Sequence, residues 1–478
     1  MGKALKAILL EFEKHRLLLG ALVAFWGFHY VVFWSEAFAP LPSYSFWGIG
    51  GDALWIVAVT CNALALGAFC LGAGRASRVD FMRLSRAAAW LTAVGTALLS
   101  CGLACSRGMG EAAYFAGTMM LGFGTGLLMA CLSKVVSGVT PKTTYMCMAA
   151  SFAGGALLDL VVTAALVPLA ARMAMVALPF AFCWVYRREL VRQSAEKPQI
   201  EETPSQPAER PSFVLGSLTS LVVVIGLSAG LMRGVGLGDE LTFAEGPLFV
   251  GTVLVTGCVL VLFSQISDNA KPTLLFQIVV IVIAGAFVAL ALVAHQPKVA
   301  FALHTVGFLC FVLLVWFFCS YYAWSSGRGA WAFSVGLFAN QAGQAAGSFL
   351  CVALVALFGS IDSALLYVSF GMVYLLFVAA LVYFSAANRH RKSISDAPDP
   401  LMDKALDAIS KRCCLTPRER EIAGLVMRGD SRSAISEVLC VSQETVKSHT
   451  KHLYQKLGVH SRDALVRLVR NEAEDQML

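Results

Sequence analysis

Charge is scarce in this sequence. Asp, Glu, Lys and Arg supply only 14% of the 478 residues, while 58% are hydrophobic. That balance excludes an ordinary soluble globular protein and points to a membrane one. Reactive constellations are scarce as well. No nucleophile is placed with a base, and none of the fourteen cysteines has zinc-type spacing with histidine, so neither an enzyme nor a bound metal or other cofactor is expected. Gly122-Phe123-Gly124-Thr125-Gly126 lacks the preceding strand and the soluble setting of a nucleotide loop. Most cysteines stand singly in apolar runs, where the thiol behaves as a small apolar group. Cys101 and Cys105 share a helical face, and Cys413-Cys414 precede the polar C-terminal stretch. A reducing cytoplasm leaves little for a redox switch there.

What the sequence does have is long apolar runs. They recur at roughly 17–36, 53–73, 87–105, 112–133, 143–164, 166–186, 213–233, 247–266, 273–294, 299–322, 330–358 and 363–386. Each is near the ~20 residues that a bilayer-crossing helix needs. The two sets of six flank a Glu-, Pro-, Gln- and Ser-rich stretch from Arg187 to Ser212, whose composition reads as a disordered linker. The expected organisation is therefore a first membrane half at 1–186, a linker at 187–212, a second half at 213–386, a linker at 387–412 and a soluble domain at 413–478.

Charge placement orients the chain. One set of loops carries Arg75, Arg78, Arg83, Arg86, Lys134, Lys142, Arg187, Arg188, Arg192, Lys271 and Arg328. The other set carries Glu36, Asp52, Glu111, Asp239, Glu240, Glu245 and Asp362, with isolated Arg107, Arg172, Arg233 and Lys298. The positive-inside rule then puts both termini in the cytoplasm and the protein in the inner (cytoplasmic) membrane. Met1 to Arg16, with Lys3, Lys6, Lys14 and Arg16, has the charge of a signal-peptide n-region but no small-residue cleavage pattern after it; it reads as a cytoplasmic lead-in.

Beyond the last run the character changes. Arg389-His390-Arg391-Lys392 forms a basic collar at the membrane surface, Asp396-Ala397-Pro398-Asp399-Pro400 breaks structure, and Leu401 to Arg412 has a helical pattern. Thr416, Pro417 and Glu419 are spaced as a capping box with proline at the first helical position. Ile422, Leu425 and Val426 bury one face of that helix, which stops at Gly429. A short helix carries Ile435, Val438 and Leu439; a tight turn at Cys440 and Val441 leads to Ser442, the cap of a third helix that ends at Gly458. Ser461 caps a fourth, with Ala464, Leu465, Leu468 and Val469 on one face. In the third helix Val446, Leu453 and Leu457 face the core, opposite Lys447, Ser448 and Lys451, with Glu444 and His449 flanking. Short cationic and polar side chains on one helical face suit phosphates and base edges in a major groove. A charged stripe alone is as well explained as a solvated face.

The motifs decide between these. Leu415-Thr416-Pro417-Arg418-Glu419, Thr445-Val446-Lys447-Ser448-His449 and Lys456-Leu457-Gly458-Val459 stand in register, and residues 415–470 resemble the LuxR-type (GerE-like) helix-turn-helix DNA-binding domain. The resemblance implies a four-helix domain in which Lys447, Ser448 and Lys451 meet double-stranded DNA. It assigns Thr445 and His449 to support and backbone contacts, and the fourth helix to homodimer formation. Ser436 stands where that family usually has alanine. The six-plus-six membrane part resembles the major facilitator superfamily. Its loop after the second span reads Gly72-Ala73-Gly74-Arg75-Ala76-Ser77-Arg78-Val79-Asp80 instead of Gly-x-x-x-Asp-Arg-x-Gly-Arg-Arg, a departure that bears against transport. The expected fold is thus all-α, with about twelve transmembrane helices followed by the LuxR-type domain.

Polar residues inside apolar runs are costly and are binding candidates by default. In the first span these are Trp26 and His29, with Tyr30 and Trp34 nearby; for Trp34 an interfacial aromatic belt is the simpler account. Asp159 lies in the fifth span, His304 in the tenth, and Asn340, Gln341 and Gln344 in the eleventh. Asn340 and Gln344 share a face, beside Gly343 and Gly347, and interhelical packing is the favoured account of the group over ligand binding. Arg233, Asp239, Glu240 and Glu245 read as a solvated loop. The stretch from Asn388 to about Arg412 leaves no room for a receiver, kinase or PAS-type sensor. Any signal sensed here is expected to enter through the membrane domain. The expected function is a membrane-embedded one-component transcriptional regulator with a small-molecule effector and lipid around it. The alternatives are a secondary transporter with a regulatory DNA-binding tail and a membrane tether for a constitutive DNA-binding domain.

Overall fold

The structure, a computed structural model, describes residues 2–38, 45–46, 49–50, 53–72, 79–105, 108–195, 212–238, 246–266, 272–292, 297–326, 329–359, 361–395, 400–428, 432, 435–436, 439 and 443–475. It divides into two compact units, Met1–Tyr383 and Phe384–Leu478. The expected linker beyond residue 195, the acids at 239, 240 and 245, the break at 396–399, the helix stop at Gly429, Val438 and the Cys440–Ser442 turn lie outside the described residues.

The first unit opens with a short amphipathic helix, α1 (Gly2–Lys14), and continues as twelve apolar helices: α2 (Arg16–Trp34), α3 (Ala53–Gly72), α4 (Phe81–Ala104), α5 (Met109–Val136), α6 (Pro141–Ala165), α7 (Pro168–Ala195), α8 (Ser212–Gly238), α9 (Gly246–Ile266), α10 (Pro272–Leu292), α11 (Pro297–Ser326), α12 (Gly329–Phe358) and α13 (Ile361–Ser395). Among the described residues nine are long and apolar enough to cross a bilayer by length and composition, and three shorter apolar helices lie in α8, α9 and α10. A two-residue pairing, β1 (Ser45–Phe46) with β2 (Ile49–Gly50), interrupts the α2–α3 connection. The outer face is apolar: Val161, Leu169, Ile281, Phe370, Tyr374 and Phe377 are all exposed, the reverse of a soluble surface and suited to lipid. The chain is an all-α, multi-pass membrane protein.

Each bundle half closes where glycines replace bulk. A Cβ at Gly117 of α5 would meet the backbone of α4 at Leu99 and Gly95. In the second half a Cβ at Gly230 of α8 would fall on the Gln344 carbonyl, and one at Gly347 of α12 on the Leu227 carbonyl. Close backbone approach of this kind is how helices associate where water supplies no hydrophobic drive. Several buried hydroxyls are satisfied within their own helices: Thr92 donates to the Ala88 carbonyl, Thr96 to Thr92 and Thr118 to Tyr114, each at 2.8 Å. The two halves meet along α3 with α12 and α6 with α9. Helix α7 runs on to Ala195, beyond the linker start expected at residue 187. The reason is local packing. Glu189 is fully buried and accepts from Arg192 at 2.7 Å and from Gln193 at 2.8 Å, and Gln193 reaches the Val135 carbonyl at 2.9 Å. The last helix likewise continues through residues 389–392.

The second unit contains α14 (Pro400–Arg412), α15 (Pro417–Arg428), α16 (Gln443–Leu457) and α17 (Arg462–Asp475). Leu406, Ile409, Ile422, Val446, Leu453, Leu465 and Val469 form its core. The capping box closes as the spacing predicts. Glu419 N–H donates to Thr416 Oγ1 at 3.2 Å, and Thr416 N–H donates to Glu419 Oε2 at 2.8 Å. The same carboxylate takes a hydrogen bond from Lys456 Nζ at 2.7 Å, which ties the start of α15 to the end of α16. Gly458, at φ 63°, ends α16 in the left-handed conformation, and Val459 N–H returns to the Tyr454 carbonyl at 3.0 Å. Arg420 joins α15 to Asp403 and Asp407 of α14, and Arg462 at the head of α17 covers the Val426 carbonyl.

Burial works against ionisation of Glu419, but the hydrogen bonds from Lys456 and Thr416 outweigh it and hold the carboxyl at about 2, below the usual 4.5. The stabilisation is therefore complete above about pH 4.5, declines as pH falls, and is gone below about 2. Glu419→Gln should cost about 1–3 kcal/mol near neutral pH and flatten the acid limb of the stability curve between those limits, read by urea melts of residues 384–478 as a function of pH. An unchanged acid limb in the variant contradicts the assignment.

Candidate functional site

Two sites emerge, one in each unit. In the membrane unit a cavity of about 110 Å³ lies between the two halves. From the first half it is lined by Trp26, His29, Tyr30, Phe33 and Trp34 of α2, with Trp55 of α3 and Met129 of α5. From the second it takes Arg233 of α8, Phe249 of α9, His304 and Trp316 of α11, and Asn340, Gln341 and Gln344 of α12. The tryptophans and phenylalanines pack as a continuous aromatic wall. Trp34 stacks on Phe249 with ring centroids 3.9 Å apart, Tyr30 meets the same ring edge-on at 5.6 Å, and Trp26 lies 5.9 Å from Tyr30.

Five of the six residues expected to bind a ligand, Trp26, His29, His304, Asn340 and Gln344, line this one cavity. His29 Nδ1 donates to the Phe25 carbonyl at 2.9 Å, since a carbonyl can only accept. His304 Nε2 lies 3.2 Å from Ser228 Oγ, with its ring stacked on Phe308. The amides and glycines of α12 divide their work: Gly343 and Gly347 pack on α8, whereas Asn340, Gln341 and Gln344 line the cavity. Gln344 donates to Gln341 at 2.9 Å, and Gln341 reaches the Met129 sulfur across the halves at 3.4 Å. Asp159 is not brought to the wall. It is buried next to Tyr30, close enough to interact with its hydroxyl.

Two expectations are corrected. Arg233 is not a solvated loop residue. It is 3% exposed, donates to the Phe33 carbonyl, and its guanidinium lies 3.9 Å from the Trp34 ring and 4.6 Å from that of Trp55. Trp34, expected in an interfacial belt, is half-buried in the same cluster. An arginine can sit so deep because two indole faces and a carbonyl replace part of its water. Position in sequence hid this, because Arg233 borders an acidic loop. The one available signal was the aromatic run of α2 on the facing helix.

The halves are joined at one end of the bundle. Ser334 donates to Ser133 at 3.0 Å, Thr144 and Ser320 are hydrogen-bonded at 3.0 Å, and Trp331 Nε1 donates to the Cys70 carbonyl at 3.0 Å. These residues belong to the ends of α3, α5 and α11 and the starts of α6 and α12. Trp34, Trp55, Arg233 and Phe249, at the opposite helix ends, put the cavity toward the other side.

In the second unit α16 carries Glu444, Lys447, Ser448 and Lys451 exposed on one face, with Thr445 and His449 half-buried beside them and Val446 and Leu453 in the core. Lys447 pairs with Glu444 at 3.5 Å, an exposed contact of little energy. Lys447 and Lys451 also line a shallow cleft with Arg432, Tyr454 and His460. Arg432 and His460 were not singled out from the sequence, since they lie outside α16 and join its face only through the fold. Among the described residues no group of three or more His, Cys, Asp or Glu side chains is placed to hold a metal ion.

Residues 414–469 match the family described as bacterial regulatory proteins, luxR family. A relative by sequence is the transcriptional regulatory protein MctR of Rhizobium johnstonii, 43% identical over 53 residues, or 11% of this chain and 25% of that protein. The chain thus spans about a quarter of that relative's length. The fold of the membrane unit is shared with solved transporter structures. One is a bacterial homologue of the iron transporter ferroportin in an outward-facing state, with a TM-score of 0.56 and 14% identity, covering 78% of this chain and 98% of that one. Another is the human organic anion transporter MFSD10, with a TM-score of 0.57 and 12% identity, covering 77% and 97%. The C-terminal domain is a LuxR-type helix-turn-helix domain, and the fold preceding it is shared with these transporter structures.

The contact at the joined end is testable without a ligand. With Ser133→Cys and Ser334→Cys in a background lacking the native cysteines, mild oxidation should form an intramolecular disulfide in most of the detergent-solubilised chains, read as a gel-mobility shift reversed by reductant. The hydroxyl separation of 3.0 Å leaves the two Cβ atoms within disulfide range. A pair that stays unlinked contradicts the closure.

Proposed function

We propose that the chain is a membrane-embedded one-component transcriptional regulator. In this reading the membrane unit binds a small molecule in the cavity between its halves, and the helix-turn-helix unit binds specific double-stranded DNA. The observation that carries the proposal is the coexistence, in one chain, of a LuxR-type domain and a two-halved bundle with an aromatic-walled cavity between its halves. The charge bias of the loops supports this reading, with both termini in the cytoplasm, where DNA is, and the cavity toward the outer side of the inner membrane. Two halves able to rock about a cavity form a bistable element, and a ligand with different affinity for the two arrangements shifts the balance between them. Control of homodimer formation by the DNA-binding unit is the simplest output, because helix-turn-helix dimers read two half-sites one helical turn apart. No catalytic role is assigned.

On DNA, Lys447, Ser448 and Lys451 enter the groove, Thr445 and His449 support them and touch the backbone, and Glu444 flanks them, 3.5 Å from Lys447. Arg432 and His460, beside the same cleft, are further phosphate contacts. The second reading, a secondary transporter with a regulatory DNA-binding tail, draws on the likeness of fold to transporters.

Lys447→Ala and Lys451→Ala should each weaken binding of residues 384–478 to promoter DNA in titrations at several salt concentrations. Loss of a base contact costs about 1–3 kcal/mol and relaxes specificity, whereas loss of a phosphate contact lowers the salt slope by about one unit. Unchanged affinity and slope in both variants would remove α16 from the groove.

A further inference from the structure

Along the outer face of α13 run Tyr367, Phe370, Tyr374, Phe377 and Leu381, all exposed. They recur alternately three and four residues apart, which sets them in one stripe at the spacing of a packed helix–helix seam. The opposite face, with Val368, Met372, Leu376, Ala379 and Tyr383, is buried in the bundle. Periodicity alone follows from having one face packed and the other outward. Composition goes further. The outward faces of α9 and α10 are aliphatic, with Val255, Val259, Ile278 and Ile281 exposed, whereas four of the five stripe residues are aromatic. Aromatic rings packed on one another gain more than their buried area alone provides.

Two residues of this face make lipid a poor occupant. Tyr374 lies near the middle of the span Leu365–Ser385 and is 70% exposed. Tyrosine suits the membrane–water interfaces. At mid-depth the hydrocarbon offers its hydroxyl no partner, and a neighbouring helix can. Gly371 is the second. Glycine is a weak helix former, and elsewhere in the bundle Gly117, Gly230 and Gly347 are required by a neighbouring backbone. A Cβ at Gly371 would meet nothing within 4 Å, so no contact within the chain requires glycine there. A small residue on an outward face lets a second helix approach closely.

The identity of that second helix follows from where α13 leads. It is one helix from Ile361 to Ser395, and the compact unit that carries the helix-turn-helix begins within it, at Phe384. Helix-turn-helix units read two half-sites as dimers, so two copies of α13 come together whenever two such units share an operator. We propose that this stripe is a homodimer surface within the membrane, and that its occupant is the same stripe of a second copy. A twofold axis along the membrane normal makes the seam self-complementary and keeps both DNA-binding units on one side of the bilayer. Phe370 and Phe377 pack across the axis, Gly371 lets the helices close, and Tyr374 gains a hydrogen-bond partner on the second helix. The choice of occupant rests on the regulator reading, but its test needs no DNA.

Full-length protein carrying donor or acceptor fluorophores on an added C-terminal tag is reconstituted into liposomes without DNA, and energy transfer is followed over a range of protein-to-lipid ratios. Transfer should depend on acceptor fraction as it does for a dimer. Gly371→Leu should weaken association about tenfold or more, because the added side chain overfills the seam while finding open space in its own chain. Tyr374→Phe should weaken it about threefold, the loss of one intramembrane hydrogen bond. Ile281→Trp, on the outward face of α10, should leave it unchanged. Independently of how these variants fold, Phe377→Cys in a background lacking the native cysteines should cross-link into a dimer in isolated membranes on mild oxidation, and Ile281→Cys should not. Chains monomeric at all ratios, a dimer indifferent to both Gly371→Leu and Tyr374→Phe, or equal cross-linking at the two cysteine positions overturns the proposal. A dimer through α13 in a protein with no specific DNA site supports the surface and counts against the regulator reading. Specific DNA binding by a protein that is monomeric in liposomes overturns the surface and leaves that reading in place.

Discussion

Polar groups removed from water must be answered by other polar groups, and this constraint governs both units. In the bundle the lipid offers nothing, so hydroxyls turn back onto their own helices, as Thr92, Thr96 and Thr118 do. Several groups that do not turn back lie on one wall. Trp26, Tyr30, Trp55 and Asn340 all line the cavity between the halves, and Arg233 lies there between two indoles. In the soluble unit the same rule operates on a smaller scale. Glu419 is 4% exposed and remains ionised because Thr416 and Lys456 satisfy it. That carboxylate fixes the end of the helix whose other face carries Lys447 and Lys451.

The two levels of packing differ in what they permit. Within each half, glycine-mediated contacts such as α8 on α12 bring backbones too close for any side chain and make each half a rigid body. Between the halves polar contacts fall in two places: Ser133 with Ser334, Thr144 with Ser320 and Trp331 with Cys70 at one end, and Arg233 with Phe33 and Gln341 with Met129 around the cavity. Two halves that meet around a shared cavity are the condition for a two-state element. A ligand moves such an equilibrium only by its difference in affinity for the two states; reversing a hundredfold bias takes about 5.5 kcal/mol. A cavity whose wall comes from both halves is where that difference arises.

Much of this was legible in the residues. Apolar runs of bilayer length located the helices, most of them within a few residues, and Thr416-Pro417-Glu419 announced the capping box that the structure closes. Local patterns suffice there because periodicity and capping are local physics. The cavity was only half legible. Polar residues inside apolar runs drew notice to His29, His304, Asn340 and Gln344, yet their convergence is a property of tertiary packing. Arg233 was misread because the charge next to it in sequence is acidic loop, while the groups it touches, Phe33, Trp34 and Trp55, are about two hundred residues away. Asp159 shows the opposite failure: a buried acid in a span need not face the cavity. The extension of α7 to Ala195 followed from Glu189 meeting Arg192 and Gln193, a satisfaction that composition alone reads as linker.

In the proposed regulator, the state of the membrane unit sets occupancy of DNA by the C-terminal unit. The most direct test is genome-wide DNA occupancy of the full-length protein in its own bacterium. Three forms are mapped: the native chain, the double Lys447→Ala, Lys451→Ala variant, and the double Ser133→Cys, Ser334→Cys variant in a background lacking the native cysteines, locked by a membrane-permeant bismaleimide that joins its two introduced thiols and survives a reducing cytoplasm. The expected result is a narrow set of sites sharing one sequence, lost in the lysine variant and altered by the lock. Sites that the lock leaves untouched would reduce the membrane unit to a tether, and the absence of any specific site would leave a transporter fold whose helix-turn-helix does not regulate.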